Sequence, residues 1–172
     1  MRGPLDVTRE LLAADVAYEI VHLPRRIDDA AELPAVLGLP SEACLAVRFY
    51  EAGDRLVAAL LPADRMAATS AVAAAAKADD VRPLRPDQVS TTTQFHAALV
   101  PPVCLPDGVT VVADSAFGDQ DVVYAPTGDG STALKVRVSD LLALTAAGLS
   151  DLVEPGAVRT PATRDWRVTS RS

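Results

Sequence analysis

At 172 residues the chain has the length of one domain. Its residues are 49% apolar but only 4% aromatic, so the core has to be assembled mostly from Ala, Val and Leu. The net charge of -7 argues against a protein that coats DNA or RNA non-specifically, because that affinity comes from neutralised phosphates; docking of one structured RNA end through a local patch remains open.

In chain order, Asp6–Ala14 reads as an amphipathic helix with Val7, Leu11 and Leu12 on one side. The charges among Met1–Asp15 are wrong for a signal peptide. Ala17–Leu23 alternates around Tyr18, Ile20 and His22 and reads as a short strand. Asp28 or Asp29 caps a helix that runs through Leu37 and stops at Gly38. Ala43–Tyr50 and Arg55–Leu61 form a hairpin. Ala67–Ala78 is almost pure alanine and is expected as a helix packed closely on the sheet. Val81–Leu84 reads as a short strand and Pro86–Val89 as a helical turn. Phe95–Val100 and Val109–Ala113 are expected as strands flanking the proline-rich stretch Pro101–Pro106.

The stretch Tyr124–Leu144 carries the densest local signal. A turn with Pro126, Gly128, Asp129 and Gly130 precedes Leu134, Val136 and Val138, which alternate with Lys135 and Arg137. Ser139 then reads as the cap of a final helix at Leu141–Leu152, with Asp140 in its first turn. After Glu154–Pro155–Gly156 the composition turns polar, with Arg159, Arg164, Arg167, Arg171 and a lone Trp166. The expectation is a compact α+β domain over residues 1–154, with a mixed, mostly antiparallel sheet and flanking helices, and a flexible tail over 155–172.

Chemistry motifs are sparse. His22 and His96 are far apart in sequence and lie in no metal-ligand pattern, so no metal is expected. There is no nucleotide fingerprint, P-loop or nucleophile elbow, and no cofactor is expected. Cys44 and Cys104 make no disulfide framework and read as small buried hydrophobes in a reducing, cytoplasmic setting. No window is long and apolar enough to span a bilayer. Cys44 lies in an apolar β-run with no cation nearby in sequence, so it is not expected to be a nucleophile.

The ordered series Val16–His22, Asp29–Leu33, Leu37–Gly38–Leu39, Thr91–Phe95, Ala97–Pro102, Leu105–Asp114, Gly128–Val138 and Asp140–Leu141 resembles the YbaK-like aminoacyl-tRNA deacylases, also described as prolyl-tRNA-synthetase editing-domain-like proteins. The resemblance covers about residues 7–152. It implies a compact α+β fold and hydrolysis of the ester between a wrong amino acid and tRNA, with no metal or organic cofactor. The implied partner is the aminoacylated tRNA 3′ end, bound by a monomer or weak homodimer. The alternative is a catalytically silent domain that binds a small ligand, an RNA end or a protein.

Four positions, in three segments, depart from the family pattern. The family lysine after the second helix falls on or near Cys44, glycines of the substrate loop are replaced by Ala97 and Ala98, and an acidic residue of the closing strand is replaced by Lys135. The resemblance therefore implies a cleft between Phe95–Pro106 and Tyr124–Ser131, with Lys135 supplying the cation. Thr127 joins Lys135 as a candidate catalytic residue. His22, Cys44, Ala97, Ala98, Pro102 and Gly128 are candidate substrate contacts.

Overall fold

The computed structural model describes residues 1–158, with side chains to Pro155. In chain order it contains α1 (Pro4–Ala13), β1 (Tyr18–His22), α2 (Leu33–Leu37), β2 (Leu45–Ala52), β3 (Arg55–Pro62), β4 (Arg65–Ala67), α3 (Thr69–Ala75), β5 (Arg82–Pro83) and α4 (Pro86–Thr93). It continues with β6 (Thr110–Asp114), β7 (Val122–Pro126), β8 (Thr132–Arg137), α5 (Val138–Thr145), β9 (Gly148–Ser150) and β10 (Val153–Val158).

The largest sheet has the order β5-β2-β3-β6-β9, with β3, β6 and β9 parallel and the rest antiparallel. A second, antiparallel sheet has the order β1-β8-β7, and a bridge between Cys44 and Tyr124 joins the two. Successive strand residues face opposite sides, so a strand covered on both faces reads as a continuous apolar run. That is the case for β3. Ala58 and Leu60 enter a core shared with Val123, Ala125, Leu134 and Val136 of the second sheet and Val7 and Leu11 of α1. Val57, Ala59 and Leu61 pack on Val72, Ala73 and Ala76 of the α3 segment. Small alanine side chains let α3 lie close to the strand backbones, and each fully buried Val or Leu contributes about 1.5–3 kcal/mol.

The architecture is the mixed, mostly antiparallel α+β arrangement that the pattern implies. Asp29 Oδ1 accepts from the Ala31 N–H at 2.9 Å, starting a 3-10 turn that runs into α2, and Gly38 closes that helix at φ 67°.

Several elements differ from the sequence expectation. Leu12 is 66% exposed, because α1 turns only Val7 and Leu11 inward. The alanine helix is shorter, since Ala67 is claimed by β4. Phe95–Val100 is no strand: Gln94 ends α4 at φ 65°, and Ala97–Leu99 is a 3-10 turn. β7 is an added strand, in which Val123 and Ala125 face the core. Arg137, not Ser139, occupies the cap position of α5. That helix ends at Thr145, where Ala146 takes φ 56° and the Ala147 N–H returns to the Leu142 carbonyl at 3.2 Å. This is a left-handed helix stop built on alanine instead of glycine. The freed residues form β9, and β10 follows, running through Glu154–Gly156 and pairing with β4. Trp166 and the four tail arginines lie outside the described residues.

Among the described residues no helix is long and apolar enough to cross a membrane, and no group of three or more His, Cys, Asp or Glu is placed to hold a metal ion.

Candidate functional site

The edge of β2 is covered unevenly. β5 pairs only with Tyr50 and Glu51, after which the Leu84 N–H reaches the Phe49 carbonyl at 2.9 Å and Pro86 starts α4. At the other end Cys44 bridges Tyr124. Between these contacts, Ala46 to Arg48 have no strand partner on that edge among the described residues. Residues two apart present their backbone groups on the same edge, so Val47 offers its N–H and C=O where Phe49 does.

A cleft of about 310 Å³ lies along this edge. Its floor is Ala46–Phe49, and its walls come from α4 through Pro86 and Val89 and from the turn His96–Val100. Asp29 lines one side. The lining is mainly apolar with a few polar groups, which is the usual make-up of a small-ligand site.

The turn is built locally. The Thr93 hydroxyl donates to the Val89 carbonyl at 2.8 Å and accepts from the Phe95 N–H at 3.2 Å. Phe95 is fully buried, and the next residue, His96, is exposed. The His96 Nδ1 accepts from the Ala98 N–H at 3.3 Å, and its carbonyl accepts from the Leu99 N–H at 2.9 Å. With Nδ1 as acceptor, the neutral ring carries its proton on Nε2 and is a donor there. The Ala97 N–H, at the start of the turn, has no partner among the described residues, as expected of a first-turn amide. Neither Ala97 nor Ala98 is among the residues with positive φ, so alanine costs nothing at these two positions.

Arg48 is the cation of this cleft. It shares a face of β2 with Cys44 and Ala46, is half-buried, and has no ion pair within 4.0 Å among the described residues. His96, Ala97, Ala98, Arg48 and the Val47 edge therefore converge on one space.

Of the residues singled out from the sequence, only Ala97 and Ala98 line it. Thr127 is 0% exposed; its hydroxyl pairs with that of Thr132 at 2.8 Å, donates to the Asp129 carbonyl at 3.3 Å and accepts from the Asp129 N–H at 3.2 Å, so its bonding capacity is taken up within the turn. Gly128 has φ 93°, and a Cβ there would come within 2.6 Å of the Phe95 ring, so its part is to let the turn close on that ring. Lys135 sits across β8, with Nζ 3.9 Å from Glu19 and 6.0 Å from the centre of the Tyr124 ring. It borders a separate depression of about 220 Å³ with Glu19 and Arg137. The cleft between the His96 turn and β2 has no lining residue from β7 or β8, so it does not coincide with the one expected between Phe95–Pro106 and Tyr124–Ser131.

His22 is exposed at the end of β1, opposite Thr132. Pro102 is buried beside a different hollow, with Glu10 and Leu144. Cys44 is 0% exposed, and burial, reinforced by the Asp64 charge, pushes its thiol up to about 12. Its burial and apolar setting disfavour the thiolate, the reactive form.

Two functional candidates were not singled out from the sequence. Arg48 is the one charge inside the apolar run Ala43–Tyr50, and that interruption is a usable signal. His96 had no local motif; its value comes from capping a turn that the sequence pattern had assigned to a strand.

The model of the aminoacyl-tRNA editing domain matches residues 25–144, a span holding β2, α4 and the His96 turn. No curated protein matches the chain. Among solved structures, hypothetical protein APE2540 superposes with a TM-score of 0.78 at 22% identity, covering 86% of this chain and 99% of that one. A candidate trans-editing enzyme for prolyl tRNA synthetase gives a TM-score of 0.71 at 21% identity, over 80% of this chain and 87% of its own. At these identities the likeness shows the fold. The family match, which covers well over half of the sequence, shows that this chain belongs to the aminoacyl-tRNA editing domain family.

Proposed function

We propose that this protein hydrolyses the ester between a wrong amino acid and its tRNA, acting in trans, and that the acylated 3′ end sits in the cleft along β2. The observation that carries this reading is the convergence of the Ala97 N–H and Arg48, neither with a partner among the described residues, and the His96 ring within the span that matches the family.

In the reaction, water adds to the acyl carbon and the carbonyl oxygen takes negative charge. The bond to the ribose oxygen then breaks. The ribose oxygen leaves as a hydroxyl, carrying a proton that the water gave up. Donors aimed at the developing oxyanion lower that barrier, and losing one such donor commonly costs about 10²–10³ in rate. The Ala97 N–H and the His96 Nε2–H are the donors available here. Arg48 holds a phosphate of the terminal nucleotides, where a planar guanidinium makes paired, charge-assisted bonds. A local cation matters on a chain of net charge -7, which otherwise repels RNA. The apolar walls and the small volume suit a compact amino acid side chain.

The test is a deacylation panel of several mischarged tRNAs, run with the parent and with His96→Ala. The parent should release at least one amino acid, and His96→Ala should do so more than tenfold more slowly with an unchanged melting temperature. A parent that binds the 3′ end of every tRNA in the panel and deacylates none is a silent binding domain, and the enzyme reading fails.

A further inference from the structure

The segment Arg2–Glu10, which leads into and forms most of α1, lies ahead of the family match, yet it holds both ends of the loop that carries the cleft wall. At the start of that loop, the Arg2 N–H donates to the Gln94 carbonyl at 2.8 Å, and the Arg2 guanidinium lies 5.1 Å from the centre of the Phe95 ring. At its end, Glu10 Oε2 accepts from the Cys104 N–H at 2.8 Å, and the Asp6 carbonyl accepts from the Cys104 thiol at 3.3 Å. Arg2 Nη1 donates to the Cys104 carbonyl at 3.2 Å.

Cys104 needs these partners. It has φ 61°, a left-handed conformation that residues with a Cβ rarely take. It is buried and belongs to no strand or helix, so its N–H and C=O have to be satisfied from elsewhere in the fold. Both groups find their partners in the segment Arg2–Glu10.

We propose that α1 is a clamp that sets the shape of the Phe95–Cys104 loop, with Glu10 and Arg2 as positioning residues for the site. The inference rests on the reading of the β2 cleft as the site. Glu10 makes the charge-assisted bond that keeps Cys104 left-handed. Without it the far end of the loop relaxes, and the His96 turn shifts relative to Arg48 on β2. Misplacement of a reacting group by about 1 Å is enough to cost roughly 10² in rate.

The test compares Glu10→Ala with Glu10→Gln in the full chain. Glutamine keeps an acceptor for the Cys104 N–H and removes only the charge. Two readouts are used: the rate of iodoacetamide alkylation at Cys104 and at Cys44, separated by peptide mass mapping, and kcat and KM for deacylation. In the parent the Cys104 thiol is protected, because burial, with the Glu10 charge beside it, pushes it up to about 12.

Glu10→Ala should alkylate Cys104 at least tenfold faster than Glu10→Gln while Cys44 stays unreacted. It should lower kcat at least fivefold with KM within twofold, and Glu10→Gln should stay close to the parent in both kinetic constants. Equal Cys104 rates in the two variants, or Cys44 reacting in step with Cys104, would overturn the clamp. If Glu10→Ala does not fold, Arg2→Ala takes its place with the same expected outcome, and failure of both to fold also overturns it. A parent without deacylase activity overturns the reading of the cleft, and the alkylation rates then decide the clamp alone.

Discussion

The loop Phe95–Cys104 and the turn Pro126–Thr132 pack against each other at the Phe95 ring, and they use their polar groups in opposite ways. The turn is crowded with donors and acceptors, and they bind one another. Thr127 pairs with Thr132, Asp129 accepts from the Ser131 N–H at 3.1 Å and from its hydroxyl at 2.9 Å, and Arg26 lies 3.8 Å from Asp129. The loop has fewer polar groups, but among the described residues it leaves the Ala97 N–H without a partner and the His96 ring exposed beside Arg48. What matters for binding is how many polar groups a segment leaves over, and a segment rich in Thr, Asp and Gly can leave none.

This contrast can be broken at the turn with the largest effect. A Cβ on Gly130 would collide with the Ile27 carbonyl oxygen, which is backbone and cannot swing aside. Gly130→Ala should cost about 2–3 kcal/mol of stability as an overpacked site. That corresponds to a fall in melting temperature of about 4–12 °C for a chain of this size. A variant that melts with the parent would mean that the turn is not packed as described.

Thr127→Val keeps the shape but removes the hydroxyl, leaving the buried Thr132 hydroxyl and the Asp129 N–H short of a partner. The expected loss is about 1–3 kcal/mol by thermal or urea unfolding, with turnover per folded molecule unchanged. Loss of turnover without loss of stability would return Thr127 to the site.

Much of the fold was legible in the sequence, because period-two runs and capping residues are local signals. The β2–β3 hairpin, the Asp29 cap and the Gly38 stop follow directly from them. The α5 stop did not, because it rests on Ala146 in a left-handed conformation that nothing in the local sequence announces. Phe95–Val100 read as a strand because Phe, Leu and Val dominate it; in the fold those side chains are anchors for an irregular loop.

The site was harder to read for the same reason that Lys135 looked attractive. A lone lysine in an alternating strand carries the same local pattern whether it faces the β2 cleft or, as here, Glu19 beside a separate depression. Cleft membership depends on where β5 stops covering β2, which is a long-range property of the sheet.

The most direct measurement sets Arg48→Ala beside Lys135→Ala on one mischarged tRNA. Both remove a single cation, and neither residue belongs to the core. The Lys135–Glu19 pair is long and partly exposed, so its loss should cost at most about 0.5 kcal/mol. kcat/KM should fall more than tenfold for Arg48→Ala, equivalent to about 1.4 kcal/mol, and stay within twofold for Lys135→Ala. Both variants should melt within a few degrees of the parent. The reverse pattern, with Lys135→Ala crippled and Arg48→Ala active, would rule out the β2 cleft as the site and move it to the β7–β8 face.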